Sequence, residues 1–474
     1  MQTLTSDISN NLAVYINIGV IVLAVVVAIL VIRFVKVDQK GYKLLFVLYT
    51  LFWIPLMLLR QYTGVMECAI IDDKLTLLWL PMAAYGFIGI FTRVFADWFT
   101  FRLKSRKAMI YLALAIGLIT YIPIIIYPCT TTNVVQSLGV GIGASMIGTY
   151  QLMFSEQHGK SKQFLTVSLL SIPPLLADFI SSAIQSTFSS IGGTTAKSDS
   201  SILKYLWLVG LVVTVIAFIV AFFVKENRKQ LYCDNVYKKQ LQTNREWIYF
   251  VWICLLGSLI AFIKWANSGG IAQLNIEVLA NYHAGLPMPI DGVKNVASGY
   301  EGYLSLLFSF GQLFGGLITG LILVNRIGKM WSFTIGAAIW ILYEILGIYI
   351  LNPYGYLAIH VLNGFSYGIV YNLILGFILQ KTFKTEKASP MGVYQSVMAI
   401  GITGSSFFTT WLKQGPLGEK DYDGYFHAAT VINWVIIGVI VVAWLVFMYT
   451  WLIERWNYQH LWWHKKKLVQ SPTS

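Results

Sequence analysis

The sequence has few charged residues for its length. Only 12% of its 474 residues are charged, about half the share of a typical soluble protein. In contrast, 57% are hydrophobic, and the mean hydropathy is +0.66. Crossing a bilayer takes about 20 apolar residues as a helix, and the chain has twelve or more such stretches. It therefore leaves no room for a sizeable soluble domain and is expected to be an all-α polytopic membrane protein.

Other absences exclude further classes. The four cysteines, Cys68, Cys129, Cys233 and Cys254, have no paired metal-ligand spacing, so we expect no metal and no cofactor; a Cys68–Cys129 disulfide stays open. No GxxxxGK[ST] motif is present, which argues against an ATP-driven pump. The N-terminal "MQTLTSDISNN" lacks a basic segment and a cleavage site, so we expect the first apolar run to be retained.

Charge sets the expected orientation. Lys and Arg concentrate in alternate connections, whereas the other connections are acidic on balance, which is the pattern of the positive-inside rule. It predicts a multi-pass protein of the cell membrane with its N-terminus outside and its C-terminus cytoplasmic. The excess of +13 is thus spread over short loops, and no nucleic acid is expected as a partner. The predicted spans are 12–36, 43–63, 75–97, 107–128, 133–155, 163–187, 203–224, 247–267, 300–324, 330–351, 355–381, 389–413 and 428–453.

From the second span onward, the spans divide into two sets of six, separated by a polar connector. Transporters often contain such weak internal repeats. The predicted organisation is an extra N-terminal transmembrane helix (1–41), a six-helix bundle (42–224), a cytoplasmic linker (225–246), a second six-helix bundle (247–453) and a basic tail that contacts lipid (454–474).

Three segments resemble the major facilitator superfamily. In "GFIGIFTRVFADWFTFRLKSRK", Asp97 and the basic residues after it are similar to that family's loop between its second and third helices, although Arg93 stands where a glycine is usual. The segment "GLILVNRIGK" is similar to the second-half copy, and "ASPMGVYQSVMAIGITGSSF" to the start of the eleventh helix. The resemblance implies a twelve-helix bundle that works by alternating access.

Two cations occupy equivalent positions in the two halves. Arg60 and Lys264 each lie 17 residues after the inner end of their span. The resemblance implies that these two helices line a central cavity, and at these positions the chain also resembles the family's carriers of sugar phosphates and other organophosphates. Arginine and lysine there can hold an anion. The alternative is that both side chains reach the lipid headgroups.

Three acidic residues are candidates for coupling or gating. Asp97 can lock the inner faces of the two bundles or pair only locally. Asp178, in "PPLLADFISS", is a proton-coupling carboxylate or the counter-ion of Lys264 or Arg60. Glu344 is expected in a buried pair or at a solvent-facing kink, because intramembrane carboxylates need partners.

Polar residues recur at three- and four-residue spacing in "IHVLNGFSYGIVYNLI", so they share a helix face. They can bind substrate or form interhelical hydrogen bonds, and His360 is a second proton-coupling candidate. The candidates for substrate binding on this helix and on the corresponding helix of the first half are Tyr150, Gln151, His360, Asn363, Tyr367 and Asn372. Tyr371, Gln312 and Gln395 are similar residues.

The first hypothesis is a secondary transporter for a small anionic metabolite, either a phosphorylated sugar or an organic anion. It would act as a monomer, with protons or a counter-substrate as candidate coupling partners. Alternatives are a proton-coupled carrier of a neutral sugar, drug or lipid, and a membrane acyltransferase-like enzyme built on His360 and Asn363. Nothing else in the sequence supports an enzyme, so none is expected.

Overall fold

A computed structural model describes the greater part of the chain. The described residues are 14–23, 25–26, 29–30, 33, 42–60, 71, 79–103, 105–155, 169–170, 172–192, 200–226, 244–267, 290–350, 353–382, 389–414 and 422–469. Within these ranges the secondary structure is helical, with no strand. This confirms the all-α class.

The first part of the chain forms eight helices within the described ranges. A short 3₁₀ turn, Ser200–Lys204, leads directly into the eighth. The helices are α1 (Val14–Leu23), α2 (Tyr42–Arg60), α3 (Trp79–Leu103), α4 (Arg106–Ile126), α5 (Thr130–Ala144), α6 (Ile147–Ser155), α7 (Ile172–Gly192) and α8 (Tyr205–Phe223).

Six longer helices follow. The second of them continues through a π-helical turn, Thr319–Leu323, and one last turn, Val324–Arg326. These helices are α9 (Asn244–Trp265), α10 (Ile290–Ile318), α11 (Gly328–Tyr349), α12 (Pro353–Thr382), α13 (Ser389–Gln414) and α14 (Tyr422–Val469). Two of them exceed the predicted spans: α10 begins ten residues before Tyr300, and α14 runs on through the basic tail, whose sequence up to Val469 contains no proline or glycine.

The outer surface of the helices is apolar. Six described helices are long and apolar enough to cross a membrane. On α8, exposed residues recur every three or four positions, at Val212, Val215, Ile219 and Phe222. A contiguous apolar face of this kind marks contact with an apolar environment, and here that environment is lipid. The chain is a multi-pass membrane protein.

The connection between α3 and α4 is tighter than predicted. The helix α3 continues to Leu103, because "DWFTFRL" contains no helix breaker, and Ser105 caps α4 by accepting a hydrogen bond from the Ala108 N–H at 3.2 Å. Glu226, just after α8, accepts from Ser105 Oγ at 2.9 Å and from the Arg106 N–H at 2.5 Å. An acidic group at a helix N-terminus is favourable, so the start of α4 and the end of α8 are tied together.

Two glycine-containing segments shape the remaining turns. The predicted span 133–155 breaks into α5 and α6 at Ser145 and Met146, after the glycine-rich run "GVGIGA", which has low helix propensity. The turn into α11 is made by Gly328, whose φ of 82° lies in the left-handed region. Only glycine adopts that conformation without strain, which explains the Gly between Arg326 and Lys329.

The helices pack in two groups. The N-terminal group is α2–α8, in which α2 packs against α7 and α8, and α3 against α5. The C-terminal group is α9–α14, in which α12 packs against α10 and α11, and α9 against α13 and α14. The two groups meet chiefly along the pairs α3–α13 and α7–α10, and the site described next lies between these pairs.

Candidate functional site

A cavity of about 90 Å³ lies between the two helix groups. One water needs about 10–15 Å³ of such space, so there is room for several water molecules or a small solute. The cavity is bounded by residues of α2, α3, α6 and α7 on one side and α9, α10, α12 and α13 on the other. A site shared by two helix groups is one that both groups can reshape when they move.

Lys264, from α9, lies in the cavity wall and is 7% exposed. Its Nζ is 4.7 Å from the ring centroid of Tyr367 and 5.2 Å from that of Phe308. A cation this close to two ring faces is attracted to both. The rings hold the ammonium group beside the cavity, where the sequence predicted a substrate-binding lysine.

Asp178, from α7, also lines the cavity. Its carboxylate accepts hydrogen bonds from Ser305 Oγ, at 2.9 Å, and from Ser309 Oγ, both on α10. Because α7 and α10 belong to different helix groups, this buried carboxylate joins the two groups. The cavity wall therefore contains the carboxylate of Asp178 as well as the ammonium group of Lys264.

Arg93, from α3, is a cavity residue that the motif comparison treated only as a substitution for glycine. It is 5% exposed, and its Nη1 donates to the main-chain oxygen of Gln395 at 2.5 Å. Gln395 Nε2 in turn donates to Gln151 Oε1 at 3.2 Å. An arginine within an apolar run was the signal available in the sequence. These bonds also connect the two helix groups, since Gln395 lies on α13.

The charged side chains in the described part of the lining are Arg93, Lys264 and Asp178. Their formal charges sum to an excess of one positive charge. Charges in a low-dielectric setting interact more strongly than in water. This excess of positive charge therefore acts more strongly on a charged group in the cavity than it would in water.

The other predicted substrate-binding residues divide into two sets. Gln151 and Tyr367 line the cavity, together with Tyr371, Gln312 and Gln395. Four lie outside the lining and are buried among the helices. The ring of Tyr150 stacks on that of Tyr49, with their centroids 5.0 Å apart. His360 Nδ1 lies 3.0 Å from Tyr343 Oη, and Asn363 Oδ1 accepts a hydrogen bond of 2.9 Å from Trp340 Nε1. Asn372 is 3% exposed.

The remaining predicted residues are not among the described residues that line the cavity. Glu344 is buried and accepts a hydrogen bond of 2.6 Å from Asn267 Nδ2, which links α11 to the end of α9. The structure places Arg60 as the last residue of α2 and Asp97 within α3. The side chains of Arg60 and Asp97 lie outside the described residues, and so does Cys68.

No protein-family model matches the sequence, and no curated protein matches it. Solved structures do match. The human organic anion transporter MFSD10 (TETRAN) aligns with a TM-score of 0.61 at 9% identity, over 86% of this chain and 100% of that chain. The nucleoside transporter NupG aligns with a TM-score of 0.57 at 14% identity, over 86% of this chain and 99% of that chain.

The chain has the fold of these transporters. This confirms, at the level of the fold, the resemblance to the major facilitator superfamily. Both neighbours are described as transporters. At these identities the likeness concerns the backbone arrangement, and the chemistry of the site depends on its own residues.

Proposed function

We propose that the chain is a secondary active transporter that moves a small anionic metabolite across the membrane by alternating access. The observation that carries this proposal is the position of Lys264, in the wall of a cavity between two helix groups. Transporters of this architecture bind substrate at such a junction and expose it by rocking the groups. The neighbours are described as transporters of organic anions and of nucleosides, and both are small solutes.

The organisation proposed with this function is that predicted from the sequence. The groups α2–α8 and α9–α14 are the two six-helix halves, with α5 and α6 counting as one broken span, and α1 is an extra helix. The N-terminus lies outside and the basic end of α14 inside. The described contacts support the division, because each group packs mainly within itself.

We propose that three cationic side chains stabilise the bound anion. Lys264 is the direct partner, and Arg60 is its counterpart in the other half. Arg93 lies in the wall and is bonded to the Gln395 carbonyl, so it adds positive potential while also holding α3 to α13. The anion class is a phosphorylated sugar or an organic anion.

A second candidate is a proton-coupled carrier of a neutral sugar, drug or lipid. It is favoured by one observation: Asp178, an acid able to carry a proton, lies in the same wall. In that case Lys264 would neutralise Asp178 rather than bind substrate, and a neutral solute would occupy the cavity.

Counterflow in proteoliposomes distinguishes the two candidates. The panel contains radiolabelled glucose 6-phosphate, glycerol 3-phosphate, inorganic phosphate, benzenesulfonate and glucose. We expect exchange of at least one anion, and a loss of about tenfold or more in Lys264→Met, since a hydrogen bond to a charged group contributes about 1.5–3 kcal/mol. Lys264→Arg should retain part of the activity because it keeps the charge.

The matched control is Lys204→Met. The Nζ of Lys204 also lies over a tyrosine ring, 5.4 Å from the ring centroid of Tyr205. Lys204 differs from Lys264 in that it is exposed, at the start of α8, and does not line the cavity. It should exchange anions like the unmodified protein. Exchange of glucose that survives Lys264→Met, with no anion exchange in the unmodified protein, would reject the anion hypothesis in favour of the second candidate.

A further inference from the structure

Aromatic side chains form a large part of the cavity wall. Of the 21 described residues that line it, six have aromatic rings, compared with three charged residues and three amides. Both helix groups contribute rings, so a bound solute would contact aromatic surface on two sides. The six are Tyr49, Trp53, Trp265, Tyr367, Tyr371 and Tyr394.

Four of these rings form two pairs, one on a helix of each group. On α2, Tyr49 and Trp53 are four residues apart, with ring centroids 6.1 Å apart and an interplanar angle of 67°. On α12, Tyr367 and Tyr371 are also four residues apart, and their rings stack at 5.3 Å and 18°. Residues at this spacing share one helix face, so each helix presents a pair of rings at the cavity.

The cation lies beside one of these pairs. Lys264 Nζ is 4.7 Å from the centroid of the Tyr367 ring, which stacks on Tyr371. An anionic group bound to this ammonium would bring the atoms attached to it next to the α12 rings. Rings prefer to pack against other rings in offset-stacked or edge-to-face arrangements.

Besides its charged groups, the described lining has three amides and the hydroxyls of its four tyrosines. The amides in the described lining are Gln151, Gln312 and Gln395, and Gln395 Nε2 already donates to Gln151 Oε1. A sugar has several hydroxyl groups, and each one buried without a partner is costly. The hydroxyl of Tyr394, 1% exposed and without a hydrogen-bond partner among the described residues, can serve one polar group of a ligand.

We propose that the substrate is a planar aromatic organic anion. Its ring packs between the Tyr49–Trp53 and Tyr367–Tyr371 pairs, and its charged group lies at Lys264. This inference rests on the proposed function, within which it selects an aromatic organic anion over a phosphorylated sugar.

The test compares two sulfonates that differ only in their ring. Benzenesulfonate is flat and aromatic, cyclohexanesulfonate has the same carbon skeleton in saturated form, and both remain charged and do not leak through the bilayer as neutral acids. Counterflow with the full-length protein in proteoliposomes is measured for both and for glucose 6-phosphate. We expect benzenesulfonate to exchange at least about tenfold more efficiently than either, because two stacked contacts favour it.

Variants of Tyr371 test whether its ring causes the preference for the aromatic sulfonate. Tyr371→Phe keeps the ring and should keep the preference, whereas Tyr371→Leu removes the ring and should reduce it to about threefold or less. Tyr354→Leu is the control, since Tyr354 lies on the same helix but is 81% exposed and outside the lining. Binding to each purified variant, measured as ligand-induced thermal stabilisation in detergent, shows whether it is folded.

The outcomes separate the two proposals. Equal exchange of the two sulfonates, or exchange of glucose 6-phosphate alone, overturns the aromatic class and leaves anion transport standing. A preference that is unchanged in Tyr371→Leu overturns the placement of the ring at α12. If only glycerol 3-phosphate or inorganic phosphate exchanges, this inference alone fails. If no anion of the full panel exchanges, the anion-transport proposal fails and this inference fails with it.

Discussion

Asp178 joins the two helix groups and contributes the negative charge in the described cavity wall. Its carboxylate accepts from Ser305 and Ser309 on α10, and it shares the cavity wall with Lys264. As a counter-ion it would compete with an anionic substrate for the lysine. As a proton carrier, its carboxyl group would have to give up the hydrogen bonds from these hydroxyls, or keep them while it also holds the proton.

Asp178→Asn separates these roles. Asparagine keeps the shape and can still bond both serines, but it removes a negative charge near the substrate. We expect anion counterflow to persist, with a half-saturation concentration about three- to tenfold lower, because repulsion of the anion is relieved. The measurement is the concentration dependence of counterflow. A higher half-saturation concentration would contradict the counter-ion role, and Ser309→Ala controls for loss of one hydrogen bond without change in charge.

At this scale the sequence located some of the site and missed the rest for a definite reason. Ionisable and amide residues in apolar spans are conspicuous, so Lys264, Asp178 and Gln151 could be singled out. Tyr367 and Tyr371 could also be singled out, by their spacing with other polar residues. The other rings could not, because Trp53 in the cavity wall and Phe222 on the outer surface have the same apolar character. Only the packing of the helices distinguishes a ring that faces a cavity from one that faces lipid.

At the scale of elements, α10 and α12 approach closely through glycines. A Cβ at Gly364 would lie 1.8 Å from the main-chain oxygen of Phe308, and one at Gly311 would lie 2.1 Å from that of Val361. Small residues permit such contact between membrane helices. The contact matters for the site, because α10 supplies Ser305 and α12 supplies Tyr367.

Gly364→Ala should therefore destabilise the protein. The added methyl group forces α10 and α12 apart, and overpacking of this kind costs about 1–3 kcal/mol, which should lower the melting temperature in detergent by several degrees. Gly438→Ala on α14 is the control, since no atom lies within 4 Å of its Cβ position. Equal melting of the two variants would show that the helices adjust without cost.

Element boundaries followed the sequence in some helices and departed from it in others. The span 330–351 corresponds closely to α11. The span 133–155 did not reveal the break at Ser145, because glycines weaken a helix without fixing where it ends. The extension of α3 to Leu103 was hidden by its charged residues, which end an apolar run but not a helix.

For the molecule as a whole, alternating access requires the two helix groups to separate on one side of the cavity at a time. A pair of cysteines across α7 and α10 tests this. The ideal Cβ position of Gly302 is 3.6 Å from the Cβ of Ser186, within the range of disulfides. In a protein whose native cysteines are replaced by serine, Ser186→Cys with Gly302→Cys should cross-link on oxidation and lose most counterflow.

Reductant should restore the activity of the cross-linked protein, and each single cysteine variant should be insensitive to oxidation. Full counterflow in a protein shown by electrophoretic mobility to be cross-linked would mean that α7 and α10 do not separate at this point. The all-α membrane class of the protein that this experiment probes could be anticipated from its apolar composition and the lengths of its apolar runs. Which faces of the helices meet could not, because that depends on side chains far apart in the chain.

The contacts of Glu226 have a mechanical consequence. The connector to the second half starts at a carboxylate fixed to Ser105 and Arg106. If the two halves rock as proposed, a force that reaches Glu226 would therefore act on two helices at once, α4 and α8.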